Sequence, residues 1–412
     1  MASNSAPQAV TLHFQNLVRV AGETIAGTVD LNVALAQEER IEELRIKFRG
    51  AITTQIKTQN GQTRVTHRQT IPLVHSNQSL WMQGSAFPEA GSHVISFAFQ
   101  FQLPANLPPS FHCEAHSRGG AISYSIEVVG DRPGIFRANR RIRRVFSVVP
   151  AAFQNQLLVK ESLMQGWLGS WKDIKRNDQL RQGIWGEYSR SYATLTLPDL
   201  ASFPIATPIP FCLHIVTETK TLDRTDRAED KHGKPLFPAP PTLSGQVKQE
   251  LLRFSQVRVH NRIRHVEDCF DLQGIRGLGD ADRAARKRAV EAVIDEPEWV
   301  PKDTNKSSGF WRRSVRFNST LDFPFAPTSS AESLEWNYAL QFTIPFPGLG
   351  NDLKLELPIH LGPSAQCPPP PIGAPGTSSL TYADVLPAGP PPMSDLPPSY
   401  WAGENHDWDE KN

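Results

Sequence analysis

A chain of 412 residues, 39% of them hydrophobic, is long enough for two or three cored domains. Its 43 basic and 42 acidic residues leave a formal charge of +1, so no global field draws it to nucleic acid or an anionic membrane, and electrostatic recognition must rest on a local patch. The four cysteines, Cys113, Cys212, Cys269 and Cys367, stand alone without CxxC spacing, which argues against a zinc cluster or a disulfide framework and fits a reducing cytoplasm.

The first residues, Met1 to Pro7, lack the basic-then-apolar order of a secretory signal. No run approaches the ~18 apolar residues that span a bilayer. Gly22 and Gly27 then bracket Glu23 to Ala26 in a way that suits a turn. Period-two alternation follows, the mark of half-buried strands: Val29, Leu31, Val33 and Leu35; then Leu44, Ile46 and Phe48 between Arg45, Lys47 and Arg49. Ile95, Phe97, Phe99, Phe101 and Leu103 repeat it, and Pro104, Pro108 and Pro109 end that strand because they lack backbone donors. The spacing His112-Cys113-x-x-His116 falls short of the four ligands of a zinc site. Ile122, Tyr124, Ile126 and Val128 form the next strand.

Arg140, Arg141, Arg143 and Arg144 cluster in a predicted strand running to Val149, with arginines on both faces, which fits an edge or rim. Such a cluster suits bidentate recognition of carboxylate or phosphate. A domain boundary is expected near Pro150. Residues 151 to 190 show weak periodicity, and new strands are expected from Tyr192 onward, including Phe211 to Ile215, Trp336 to Ile344 and Leu353 to Leu361. Between them, Asp280 to Ile294 reads as a helical insertion near 280–295.

From Pro363 to Asn412, twelve of 50 residues are proline and most others are small or acidic, so this segment buries too little apolar surface to offset its ordering entropy and reads as disordered. It carries Leu396-Pro397-Pro398-Ser399-Tyr400, a PPxY motif. Its proline pair favours polyproline II, the shape that WW domains grip in an aromatic-lined groove. No GxSxG elbow, phosphate loop, HExxH helix or dinucleotide fingerprint occurs, and no enzyme activity, metal or cofactor is expected.

Several of these stretches resemble the arrestin family, the α-arrestins (arrestin-domain-containing and arrestin-related trafficking adaptors) in particular. Residues 20–31, VAGETIAGTVDL, are similar to a G-x-x-I-x-G-x-V-x-L opening hairpin, and residues 41–50 to a strand ending in F-x-G. Residues 87–110 look like the family's F-x-h-x-L-P-x-x-L-P-x-S block, and Ile122-Ser-Tyr-Ser-Ile126 like its I-x-Y-x-I strand; Trp336 to Pro358 resembles the closing strand pair. The resemblance is closest over 17–149. It implies an all-β protein of two immunoglobulin-like arrestin β-sandwiches in tandem, residues 10–150 and 151–362, before the proline-rich tail 363–412. It further implies an adaptor: the sandwiches would hold cytoplasmic segments of membrane transporters or receptors, with Arg140, Arg141, Arg143 and Arg144 as cargo contacts. Leu396, Pro397, Pro398 and Tyr400 would bind WW domains of a HECT-type ubiquitin ligase, and the cytoplasmic chain would reach the plasma membrane or endosomes peripherally, through its cargo. The alternative is an arrestin-like trafficking scaffold of the retromer-subunit type, working without a ligase. Many α-arrestins carry two or more PY motifs, whereas this chain has one.

Overall fold

The computed structural model describes residues 8–15, 17–134, 137–183, 186–272, 291–302, 307–368 and 406–410. The first half folds as β1 (Val10–His13), β2 (Arg19–Val20), β3 (Thr24–Asn32), α1 (Val33–Glu39), β4 (Glu43–Asn60), β5 (Thr63–Met82), β6 (Val94–Gln102), β7 (Phe111–Ala115), β8 (Arg118–Asp131), β9 (Asn139–Phe146) and β10 (Val148–Val149). The second half adds α2 (Gln154–Gln165), β11 (Trp171–Arg181), β12 (Tyr188–Pro198), β13 (Phe203–Pro204), β14 (Ile209–Glu218), β15 (Leu222–Asp223), β16 (Lys248–Val259) and β17 (Arg262–Asp271). It closes with β18 (Glu291–Ile294), β19 (Glu298–Pro301), β20 (Ser308–Leu321), β21 (Ser329–Ala331), β22 (Leu334–Ile344), β23 (Leu353–Ile359), β24 (Leu361–Gly362) and β25 (His406–Glu410).

Alternation along these strands builds two sandwiches, because one face of each sheet is apolar and must be covered by another. In the first, the sheet β1-β3-β6 lies over the sheet β25-β9-β8-β4-β5, with β7 also paired to β8. Ile25, Val29 and Leu31 of β3, Ile46 and Phe48 of β4, Tyr124 and Ile126 of β8, and Phe146 of β9 are all fully buried between them. Phe48 meets Phe101 across the layers at 5.8 Å and Phe146 at 6.0 Å. In the second, β11-β12-β14-β20 faces β17-β16-β22-β23, and Phe211 meets Phe342 across the core at 5.4 Å.

Local chemistry revises four of the expected elements. The strand through Val29 and Leu31 stops at Asn32, whose side chain accepts from the Leu35 amide at 3.2 Å and caps α1. Capping by asparagine followed by good helix formers prevails over the continued alternation at Val33 and Leu35. The turn expected over Glu23 to Ala26 lies earlier, at Gly22 (φ +92°), while Gly27 sits inside β3 where a Cβ would stand 2.6 Å from the His13 carbonyl oxygen. Residues 151–190 hold α2 and β11, and β12 begins at Tyr188 rather than Tyr192. Of the expected helix 280–294, residues 280–290 lie outside the described residues, and Glu291–Ile294 is strand β18, paired to β20.

The two sandwiches join where β7 and the β4–β8 pair meet β16, β17 and β22. Phe111 stacks on Trp336 with ring centroids 3.7 Å apart, both fully buried. Arg253, 4% exposed, lies over Phe111 and Phe270 at 4.7 and 5.0 Å, bonds Asp268 through Nε and Nη2 at 3.1 and 2.8 Å, and donates to the His112 carbonyl at 3.3 Å. Thr54 donates to the Arg258 carbonyl at 2.8 Å, and the His260 amide donates to Gln69 at 2.7 Å. Leu334 lies so close over Gly120 that a Cβ there would be 2.8 Å from its Cδ1, so any side chain at this seam would have to displace Leu334.

The register of β6 makes a direct prediction. Phe99 is 3% exposed and Gln100 faces solvent, so Phe99→Ala is expected to cost ~3–5 kcal/mol and Gln100→Ala at most ~0.5 kcal/mol. Urea melts of the two variants check this; equal losses would mean the opposite register.

Candidate functional site

The four clustered arginines lie on β9, which pairs through β8 to β4. Successive residues of a strand point to opposite faces, so the cluster divides. Arg140 and Arg144 stand opposite Gly130 and Ile126, on the face shared with Ile142 and Phe146. Arg141 and Arg143 stand opposite Val129 and Glu127, on the outer face. There β8 carries the register across to β4, setting Glu127 beside Lys47, Val129 beside Arg45 and Ser125 beside Arg49.

The outer face therefore gathers Arg45, Lys47, Arg49, Arg141 and Arg143. Arg45 is matched by Asp131 and, at 3.9 Å, Glu43. The remaining cations surround Glu127, whose Oε1 lies 3.4 Å from Arg141 Nη1. Arg49 is braced by the Ser76 carbonyl at 2.9 Å and Asn77 at 2.7 Å, which holds its guanidinium against the sheet. Burial lowers the pKa of Lys47; Glu127 opposes that shift, while Arg45, Arg141 and Arg49 add to it. Burial lowers the pKa of Arg49 too, again opposed by Glu127. An anionic group arriving here would relieve repulsion among cations already partly desolvated, and guanidinium forks match carboxylate and phosphate geometry.

Of the expected contact residues, the structure thus brings Arg141 and Arg143 onto one face with Arg45, Lys47 and Arg49, and sets Arg140 and Arg144 on the other. The contribution of β4 follows only from the pairing of both strands to β8. The alternating Arg45, Lys47 and Arg49 were visible as a polar half-strand, but nothing in the local pattern places β4 one strand away from β9. Leu396, Pro397, Pro398 and Tyr400 lie outside the described residues.

Other groups with chemical potential are placed differently. His112 and Cys113 fall on opposite faces of β7; Cys113 is buried and burial pushes its thiol up to about 11, so it is a poor nucleophile. Among the described residues no group of three or more His, Cys, Asp or Glu side chains is arranged to hold a metal ion. His214 Nε2 lies 2.9 Å from Ser314 Oγ, and Asp295 is held below the usual carboxylate range by Ser314 and Arg316. A nucleophilic triad needs its carboxylate on the imidazole's other nitrogen, whereas here the carboxylate is bonded to the serine and the arginine. No helix among the described residues is long and apolar enough to cross a membrane.

Comparison with known proteins adds one match. Residues 9–155 fit the family model of the arrestin (or S-antigen) N-terminal domain, a span that covers β1 through β10 and the start of α2. No curated protein matches the chain. By its layered sheets and by this match, the first sandwich of the chain is similar to the arrestin N-terminal domain.

Proposed function

We propose that this protein is an adaptor of the α-arrestin type, joining membrane-protein cargo to a WW-domain ubiquitin ligase of the HECT class. The carrying observation is the combination of an arrestin N-terminal domain with a single PPxY motif, Pro397-Pro398-Ser399-Tyr400, in a proline-rich tail. The body supplies a basic face fit for acidic or phosphorylated cytoplasmic segments of transporters or receptors. The tail supplies the ligase, and ubiquitination of the cargo then directs its endocytosis or sorting. By coil scaling, 34 steps of chain from Pro363 to Pro397 correspond to a reach of about 30 Å, enough to hold a ligase beside bound cargo. Recruitment to the plasma membrane or endosomes follows from the cargo itself.

The test is cargo affinity. Replacing Arg140, Arg141, Arg143 and Arg144 by glutamine is expected to weaken binding of an acidic or phosphorylated peptide about tenfold or more at low salt, and to flatten its salt dependence. WW binding should be unchanged, because the motif is on a separate segment. Equal affinity and equal salt dependence in the substituted and parent proteins would move the cargo surface elsewhere.

A further inference from the structure

The second sandwich is open along one side. Strands β11 and β23 are edges of its two sheets, paired to β12 and to β22. They pack together near the end of β11, where the Arg181 amide donates to Asn351 at 3.3 Å just ahead of β23. At the other end the sheets part. Between Lys172 and Ile174 on one lip and Leu357 to His360 on the other lies a slot of about 500 Å³. Its floor is aliphatic: Leu197 and Ile359 are buried, and Ile174, Leu200 and Leu357 half-buried. It shares Leu200 and Ala201 with a second hollow of about 300 Å³, which reaches Gln156 and Val159 of α2.

Among the described residues, no aspartate or glutamate lines either hollow. Strand β11 instead turns two cations to the core side of its sheet. Lys172, Ile174 and Arg176 stand opposite Leu197, Leu195 and Ala193 of β12, all three buried, so alternation places both charges on the apolar face. Lys172 lines the slot, and Arg176 lies beyond Ile174 on the same side. The neighbouring Asp173 is on the opposite face, bonded by Thr196 at 2.7 Å and paired with Lys175 at 3.7 Å. Asp178, further along, accepts from the Gln179 amide at 2.8 Å. His360, the other titratable group of the slot, meets Ser202 Oγ through Nδ1 at 3.1 Å, and burial lowers its pKa, which leaves it neutral at neutral pH.

Inward charges on an edge strand discourage a further strand from adding to the sheet, but that role needs no apolar hollow behind them. This hollow is of ligand size, aliphatic within and cationic at one rim. An aliphatic chain would gain from every methylene it buries there, and an anionic head would gain from Lys172, whereas a cationic head would be repelled. We propose that the slot binds a single-chain anionic amphiphile, its hydrocarbon between β11 and β23 and its carboxylate or phosphate head on Lys172, with Arg176 adding to the attraction. This site is separate from the basic face of the first sandwich and does not depend on the cargo reading.

Calorimetric titration of the full chain with laurate, below its micelle concentration, tests the proposal. Saturation at one site is expected, with dodecyltrimethylammonium binding about tenfold more weakly or worse. Lys172→Gln with Arg176→Gln should weaken laurate about tenfold and erase the preference between the two heads, because the charged contact is lost while the chain keeps its seat. Ala201→Trp, at the exposed rim where the two hollows meet, should block the slot and weaken both amphiphiles. Melts without amphiphile should match the parent in each case, since Lys172, Arg176 and Ala201 are all exposed. Lauroyl lysophosphatidate identifies the head: tighter binding than laurate assigns a phosphate, weaker binding a carboxylate. Equal affinity of the parent for the two heads, or laurate binding that survives both substitutions unchanged, would overturn the proposal. So would an alternating Leu-Glu peptide that binds and protects the β11 amides from exchange while laurate does not bind, which would give the slot to a protein partner.

Discussion

Tyr400→Ala is expected to abolish measurable binding of isolated WW domains, a loss of about a hundredfold or more, while leaving the melting transition of the folded body where it was. The size of the loss follows from the economy of the motif. The two prolines preset a polyproline II ridge at little entropic cost, and the tyrosine fills the second pocket, so one aromatic anchor carries a large share of a small interface. Because the chain has a single PPxY motif, no second site compensates through effective concentration. The melting transition should not move, since Tyr400 belongs to a proline-rich segment too poor in apolar residues to contribute to a core. A fluorescence titration with a purified WW domain checks the first half, and a thermal melt the second. Retained WW binding would remove the ligase from the proposed function.

The second large effect is expected at the seam between the sandwiches. Phe111→Ala should cost ~3–5 kcal/mol for the lost burial, with a further ~0.5–1.5 kcal/mol for the lost stack on Trp336. Phe111 belongs to the first sandwich and Trp336 to the second, both fully buried, and Arg253 closes over the same ring. The loss therefore falls on the coupling of the two halves and not on one core alone. A denaturant melt of the variant should split into two transitions where Phe99→Ala, inside the first sandwich, lowers one. A single transition with an unchanged midpoint would show that Phe111 contributes little to the join.

Much of the fold was legible because a strand's period is short and its chemistry local. Phe97, Phe99 and Phe101 announce the core face of β6, the prolines after Leu103 announce its end, and both readings hold in the structure. Where the local pattern misled, a side chain competed with it: Asn32 caps a helix that the alternation of Val33 and Leu35 disguises as strand. At residues 291–294 Glu, Ala, Val and Ile continue a run of helix formers, yet pairing to β20 holds them extended. Intrinsic propensity is worth a few tenths of a kcal/mol per residue, and a neighbouring strand outweighs it.

By itself the sequence determined the strand faces, the acidic and proline-rich character of the tail, the PPxY motif and the arginine cluster, because each is a property of residues adjacent in the chain. Only the tertiary structure decided which strands are neighbours. It set Arg45, Lys47 and Arg49 beside Arg141 and Arg143 through β8, joined Thr54 to Arg258 across 204 residues, and laid the C-terminal strand along β9. The reason is physical: ladder hydrogen bonds are made by backbone groups common to every residue, so strand pairing is chosen by the burial of whole faces at once and leaves little mark on any single stretch of sequence.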